Sequence, residues 1–251
     1  MRQYVKSVSI GAATLLATGM AHATELKVIA SVGVRAVLTE LAPAFERTTG
    51  HKLSLIYGTA VPLKRQIDGG ETFDIVMLVP TMIDDLIKQN KAVTGSSTNV
   101  AKVGVGVAIK KGEPKPDITS ADTFKKTMLA AKSIVYTKES QTSAVVIPLM
   151  DRLGIVADMT PKTILETSSS ATAQDVANGK AELGFILISE ILPVPGIELA
   201  GPLPTELQRY VVFTAGIGAT SKDTAAARAF IDFLKSPVAA PVLKANGMEP
   251  L

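Results

Sequence analysis

The residues of this 251-residue chain that could do chemistry are hydroxyls and glycines gathered in short clusters, not paired acids and bases. Ser31-Val32-Gly33, Gly58-Thr59-Ala60 and Ser140-Gln141-Thr142-Ser143 each lie between a β-rich run and a helical period. A loop in that position ends a strand and opens a helix, and the first amides of a helix have no intrahelical acceptor. Together with the positive end of the helix dipole, those amides can hold an anion without any side-chain charge. A hydroxyl and a glycine that admits close backbone approach would complete an oxyanion site. The same residue types are ordinary helix caps, so a single cluster needs no ligand to explain it. Three such clusters on strand ends across two lobes favour a shared site.

Two further features belong to that pattern. Ser168-Ser169-Ser170 stands before a helix carrying Ala173 and Val176, either as a fourth set of hydroxyls at the cleft or as the cap of that helix. Arg35 falls in the first turn of the first helix, where a cation opposes the dipole. It either reaches an anion or is a solvated surface residue.

Enzymatic alternatives lack parts. There is no cysteine, which excludes thiolate metal sites and leaves an exported fold without disulfides. The two histidines are His22, near the N-terminus, and His51, in a Gly-His-Lys turn, so neither a multi-histidine metal site nor a nucleophile triad can be assembled. No nucleophile-elbow, phosphate-loop or zinc-protease motif is present, and Gly104-Val105-Gly106 and Gly216-Ile217-Gly218 lack the third glycine of a dinucleotide loop. Asp84-Asp85 reads as a solvated helix face, since neighbouring helical positions point apart. The expectation is a protein that binds and catalyses nothing.

The elements that must position these clusters alternate. Leu26 to Ala30 reads as a strand; Val34, Val37, Leu38, Leu41 and Phe45 recur at helical spacing, with Pro43 expected to kink that helix. Leu53 to Tyr57 and Phe73 to Leu78 are further strands with a helix between them. Such a rhythm predicts parallel crossovers with helices on both sheet faces. Two longer β runs, Val103 to Ile109 and Arg209 to Ala215, bracket a self-contained middle unit; a Pro/Gly-dense stretch from Pro193 to Pro204 precedes the second run. The boundaries expected are 24–104 plus 211–251 for the first lobe and 105–210 for an inserted second lobe, with hinges near 103–109 and 207–215. A cleft between lobes is where a ligand would sit.

Upstream of Thr24, Arg2 and Lys6 precede an apolar run from Val8 to Leu16 and then Ala21-His22-Ala23. This predicts a signal peptide over 1–23 and export to the periplasm. The run is shorter than the ~20 apolar residues of a spanning helix. Removing Arg2 and Lys6 leaves 24 basic against 23 acidic residues, so the chain's charge supports no nucleic-acid partner.

The segments VIASVGVRAVLTELAPAFERTTG, LSLIYGTAVPLKRQIDGGETFDIVML, AQDVANGKAELGFILISE and AARAFIDFLKSPVAAPVLKANGMEP resemble the molybdate-binding periplasmic proteins of ABC transporters. The resemblance covers nearly all of the chain beyond Thr24. It implies a two-lobe periplasmic-binding-protein fold of type II, α/β in each lobe with mixed, mainly parallel sheets. It further implies a monomer that captures a small oxyanion without a metal or other cofactor and delivers it to an inner-membrane permease with its ATPase. In that family a serine after the first strand, a serine after the second, two backbone positions and a tyrosine hold the anion. Ungapped, those places fall here on Gly33, Ala60, Thr142, Ser169 and Leu187. Both serines and the tyrosine are therefore replaced. Ser31 and Thr59 could compensate only if the loops shift, and Leu187 cannot donate.

A lost donor to a buried anion costs about 1.5–3 kcal/mol. Three such losses predict a divergent member with a different anion, for which Arg35 is a candidate carboxylate fork. The candidate ligand residues are thus Ser31, Gly33, Arg35, Thr59, Ala60, Thr142, Ser143, Ser169 and Leu187. Molybdate or tungstate remains the rival ligand, and an extracytoplasmic sensor the rival role.

Overall fold

The computed structural model describes residues 23–251, so the expected signal peptide lies, but for Ala23, outside the described residues. The elements run β1 (Glu25–Ser31), α1 (Arg35–Thr49), β2 (Lys52–Gly58), α2 (Ala60–Asp68), β3 (Ile75–Leu78), α3 (Pro80–Lys88) and β4 (Thr98–Lys110). Then follow α4 (Ala121–Ala130), β5 (Ile134–Thr137), α5 (Ser143–Arg152), α6 (Val156–Met159), β6 (Thr163–Glu166), α7 (Ser169–Ala177), β7 (Leu183–Leu187) and α8 (Ile188–Ile191). The chain closes with β8 (Ile197–Pro202), β9 (Tyr210–Ile217), α9 (Thr224–Leu234), α10 (Ala239–Ala245) and β10 (Met248–Pro250).

The strands hydrogen-bond in the order β2-β1-β3-β9-β4-β7-β5-β6, with β8 and β10 both added to β4. Strands joined through helices pair in parallel: β1 with β2 and β3, β5 with β6 and β7. Antiparallel pairing enters with β4 and β9. The N-terminal part of β4, up to Gly104, pairs with β9, and from Val105 onward the same strand pairs with β7 and β8. One long strand thus serves both halves of a two-lobe α/β fold.

Local sequence explains most of the elements. β3 and β7 are buried at every residue, as strands covered on both faces must be, and their sequences IVML and LGFIL are apolar throughout. In α1, Val37, Leu38, Leu41 and Phe45 form the buried stripe, and Phe45 meets Phe230 of α9 edge-on at 4.9 Å. Gly50, with φ 78°, ends the helix in the left-handed conformation that a side chain would resist. α1 runs from Arg35 to Thr49 across Pro43 without a break. The Pro/Gly-dense stretch holds the strand β8, which follows β4 with a register shift between Val107 and Ala108. Its signal is weak because it lies at a sheet edge, with Gly201 and Pro202 tolerated there.

Candidate ligand site

The C-terminal end of β1 and the start of α1 are faced by α7, α8 and Gln141 in the loop before α5. Just after β1 the seam is packed by the protein itself. A Cβ placed on Gly33 would meet Phe213 Cζ at 2.5 Å and Leu187 Cδ1 at 2.8 Å. A serine at 33 would require Phe213 and Leu187 to move. Ser189 Oγ donates to Gly33 O at 2.7 Å, tying α8 to the first half. Ser31 is fully buried, and its hydroxyl accepts from Gln141 Nε2 at 3.3 Å, again across the seam.

The other hydroxyl clusters are largely closed on themselves. Ser140 N donates to Ser143 Oγ at 2.9 Å and Ser143 Oγ donates to Ser140 O at 2.9 Å, while Ser140 Oγ donates to Thr137 O at 2.6 Å. Thr142 and Ser143 are buried behind this turn. Thr59 precedes α2 without a side-chain cap bond. Ala60 lines a cavity of about 470 Å³ with Ser140, Gln141, Val79, Pro80 and Tyr210, whose walls are mainly apolar. Ser168 resolves toward capping: its side chain accepts from Ala171 N at the head of α7.

A different cavity, of about 530 Å³, opens two residues beyond Gly33. Arg35, Thr39 and Glu40 of α1 line one side; Ser169, Ser170 and Gln174 of α7, then Ser189 and Glu190 of α8, line the other; Pro193 and Pro195 close the end. The Arg35 guanidinium rides 5.1 Å above the centre of the Tyr57 ring, and the Tyr57 hydroxyl lies 3.3 Å from Thr39 Oγ1. Among the described residues no carboxylate forms a salt bridge with Arg35. Among the described residues the amides of Ser169 and Ser170, first in α7, have no acceptor. Opposite stands Glu190, whose Oε1 is buried with no hydrogen-bond partner. Burial pushes this carboxyl up to about 7, against the opposing pull of the Ser169 hydroxyl and of Arg35.

Of the sequence-predicted residues, the structure brings Arg35 and Ser169 together in this cavity and Ala60 into the neighbouring one. Gly33 and Leu187 contact each other instead, and Ser31 faces Gln141. Sequence reasoning missed Glu190. A signal for it existed: an acid three residues past a wholly apolar strand must stand at that strand's C-terminal end, where α/β sheets hold their ligands. His51 proves structural, accepting from Thr24 N at 3.3 Å and lying over Phe45. Asp85 is paired with Lys64 at 2.6 Å. Among the described residues there is no acid or histidine cluster that could hold a metal ion, and no helix is long and apolar enough to cross a membrane.

Residues 26–249 match the family model of the bacterial extracellular solute-binding proteins. The aconitate isomerase of a Pseudomonas species is 28% identical over 253 residues, covering 98% of this chain and 96% of that protein. The molybdate-binding protein ModA of Azotobacter vinelandii is 30% identical, with 96% and 95% covered. Among solved structures, a periplasmic molybdate-binding protein of Azotobacter vinelandii superposes with a TM-score of 0.73 at 21% identity, covering 89% of this chain and 98% of that one.

Proposed function

We propose, from the premise that this chain belongs to the bacterial extracellular solute-binding protein family and is molybdate-binding-protein-like within it, that it captures a small organic polycarboxylate in the Arg35 cavity. Its place is the periplasm, after removal of residues 1–23, and its partner an inner-membrane permease of ABC type. The lobes are 24–104 with 211–251 and 105–210, hinged where β4 and β9 cross. As an importer's receptor the chain would carry out no chemistry on the solute.

One observation carries the choice of ligand. Arg35, which among the described residues forms no salt bridge, faces across a cavity of about 530 Å³ the first amides of α7, for which the described residues supply no acceptor. A guanidinium fork grips one carboxylate in two parallel hydrogen bonds, and a helix start grips a second anionic group. The volume suits a small organic molecule and exceeds the need of a four-oxygen anion. Where the family resemblance puts the tetrahedral oxyanion, Gly33, Leu187 and Phe213 fill the space with carbon. The relative that acts on aconitate, a tricarboxylate, supports the same class. Molybdate or tungstate capture is the alternative that the ModA relative keeps open, and an extracytoplasmic sensor is the other. The rival to a purely receptor role is conversion of the bound ligand, as the aconitate isomerase relative's name describes, and the buried Glu190 carboxyl in the same cavity favours it.

The test is a thermal-shift screen of the purified protein against trans-aconitate, citrate, succinate, molybdate and tungstate. A ligand at a hundred times its Kd adds about 2.7 kcal/mol of stability. The expected outcome is the largest shift with a polycarboxylate and a roughly ten- to hundredfold weaker affinity in Arg35→Ala. A dominant shift with molybdate, unchanged in Arg35→Ala, would overturn the assignment.

A further inference from the structure

We propose that Glu190 is a further ligand-binding residue of the Arg35 cavity and acts in its protonated form: its carboxylic acid donates to a second carboxylate of the ligand, and each capture draws one proton from solvent. This role rests on polycarboxylate capture in that cavity and adds the group that selects a second anionic end.

The geometry sets the parts side by side. Glu190 follows β7 at the strand's C-terminal end, in the short helical segment α8. Its neighbour Ser189 fixes that segment by donating to Gly33 O at 2.7 Å. Glu190 lines the cavity with Arg35 and with Ser169 and Ser170, whose amides would hold one end of the ligand. A carboxylate at the start of α7 would therefore lie next to the Glu190 carboxyl, which already feels the Ser169 hydroxyl. Even so, Glu190 Oε1 is buried without a hydrogen-bond partner among the described residues. A buried polar atom ordinarily finds a partner, so this oxygen is left for the ligand.

Charge decides the protonation state. α8 packs against β4, β7, β8 and the turn 32–34, Gly247 packs on Ile188, and α1 and α7 stand across the cavity. The charged groups that these elements present to the cavity are Arg35 and Glu40, both on α1, with Tyr57 of β2 beneath Arg35. α7, β7, the turn and the segment 193–195 present none, and Lys102 and Lys110 of β4, Glu198 of β8, Lys244 of α10 and Glu249 of β10 lie outside the lining. Glu40 is exposed and accepts from Asn246 Nδ2 at 3.3 Å, so solvent screens its charge. One cation thus faces two acids and an incoming polyanion. In the protein alone, burial lifts the Glu190 carboxyl to about 7, against the pull of Ser169 and Arg35. A ligand carboxylate in the Arg35 fork neutralises the arginine's pull, and a second carboxylate beside Glu190 adds a like charge. Both changes favour the protonated form, as for any two carboxylates that share a site. The acid O–H then donates to the ligand, and repulsion becomes attraction. No covalent bond to the ligand forms: the proton comes from solvent as the ligand enters and returns to it as the ligand leaves.

The experiment titrates the purified protein with succinate, citrate and trans-aconitate by calorimetry between about pH 7 and about pH 9, where simple carboxylic acids are ionised, in two buffers of different ionisation enthalpy. In wild type, proton uptake should approach one per ligand at about pH 8, and affinity should fall about tenfold per pH unit above about 7. Glu190→Gln keeps a neutral hydrogen-bond donor at every pH. It should bind with no proton uptake and constant affinity, and at about pH 9 more tightly than wild type. Should Glu190→Gln fail to fold, Ser169→Ala serves instead: it removes a hydroxyl that lowers the Glu190 pKa, so affinity should begin to fall at a higher pH. Wild type that binds without proton uptake and with pH-independent affinity overturns the Glu190 role while leaving capture intact. So does a folded Glu190→Gln protein that loses binding or keeps the wild-type uptake, or a Ser169→Ala protein whose affinity falls over the wild-type pH range. Wild type that binds none of the three overturns capture and proton uptake together.

Discussion

Gly33 and Arg35 stand two residues apart at the start of the first helical segment, yet the two stretches of seam they face have opposite character. At Gly33 the halves meet through carbon and satisfied polar groups: Phe213 and Leu187 leave no room for a Cβ, Ser189 Oγ bonds the carbonyl of Gly33, and Gln141 covers Ser31. At Arg35, among the described residues, polar groups are left over around open space: a guanidinium in no salt bridge, two helix-start amides and a buried carboxyl oxygen without a hydrogen-bond partner. Groups that satisfy one another hold a structure together, while groups left unsatisfied at a cavity wall wait for a ligand or a proton. The proposed place of capture is therefore the second stretch and not the first.

The contrast is open to direct attack. The largest expected effect lies at Glu190, whose carboxyl is raised from 4.5 to about 7 in the folded chain. The folded protein holds that proton more tightly than the unfolded one. The stability it contributes is therefore fully present below about pH 4.5 and is lost as the pH rises through about 7, by at most about 3 kcal/mol. Urea midpoints of wild type and Glu190→Gln at about pH 5 and about pH 8 should show wild type losing ground relative to the variant. Equal pH dependence in both would mean that the carboxyl is solvated and that the two stretches do not differ.

Next comes Gly33→Ser, which restores the hydroxyl type of the molybdate binders. Its Cβ must displace Phe213 or Leu187, so it should cost about 1–3 kcal/mol in urea unfolding and add no molybdate response. An unperturbed variant that binds molybdate would erase the distinction from the other side. The smallest effect belongs to the rim, where exposed Arg65 of α2 reaches Glu139 beyond β5 at 2.6 Å. Arg65→Ala should lower stability by less than about 1 kcal/mol and change polycarboxylate affinity less than fivefold by calorimetry, as an exposed pair that merely bridges the halves would.

Much of this molecule was legible in its residues. The strand and helix alternation, the buried stripe of α1, the long strands β4 and β9 and the family resemblance all rest on local periodicity and segment order. Arg35 drew notice because a cation at a helix start contradicts the dipole, and Ser169 because hydroxyls favour helix starts. The edge strand β8 escaped because an edge position tolerates the Gly and Pro that ordinarily argue against a strand. Glu190 escaped because a lone acid in a short helical turn has no periodic signature.

Residue order alone determined the kind of protein this is: apolar spacing dictates which faces are buried, and burial dictates an α/β chain of strands alternating with helices. Which hydroxyls remain available was decided only in three dimensions. Ser31, Ser140, Ser143 and Ser168 look alike as letters and are each consumed by a neighbour, Ser31 by one 110 residues away. Whether a polar group is satisfied depends on partners brought together by folding, so the same composition can make a packed seam or a binding cavity.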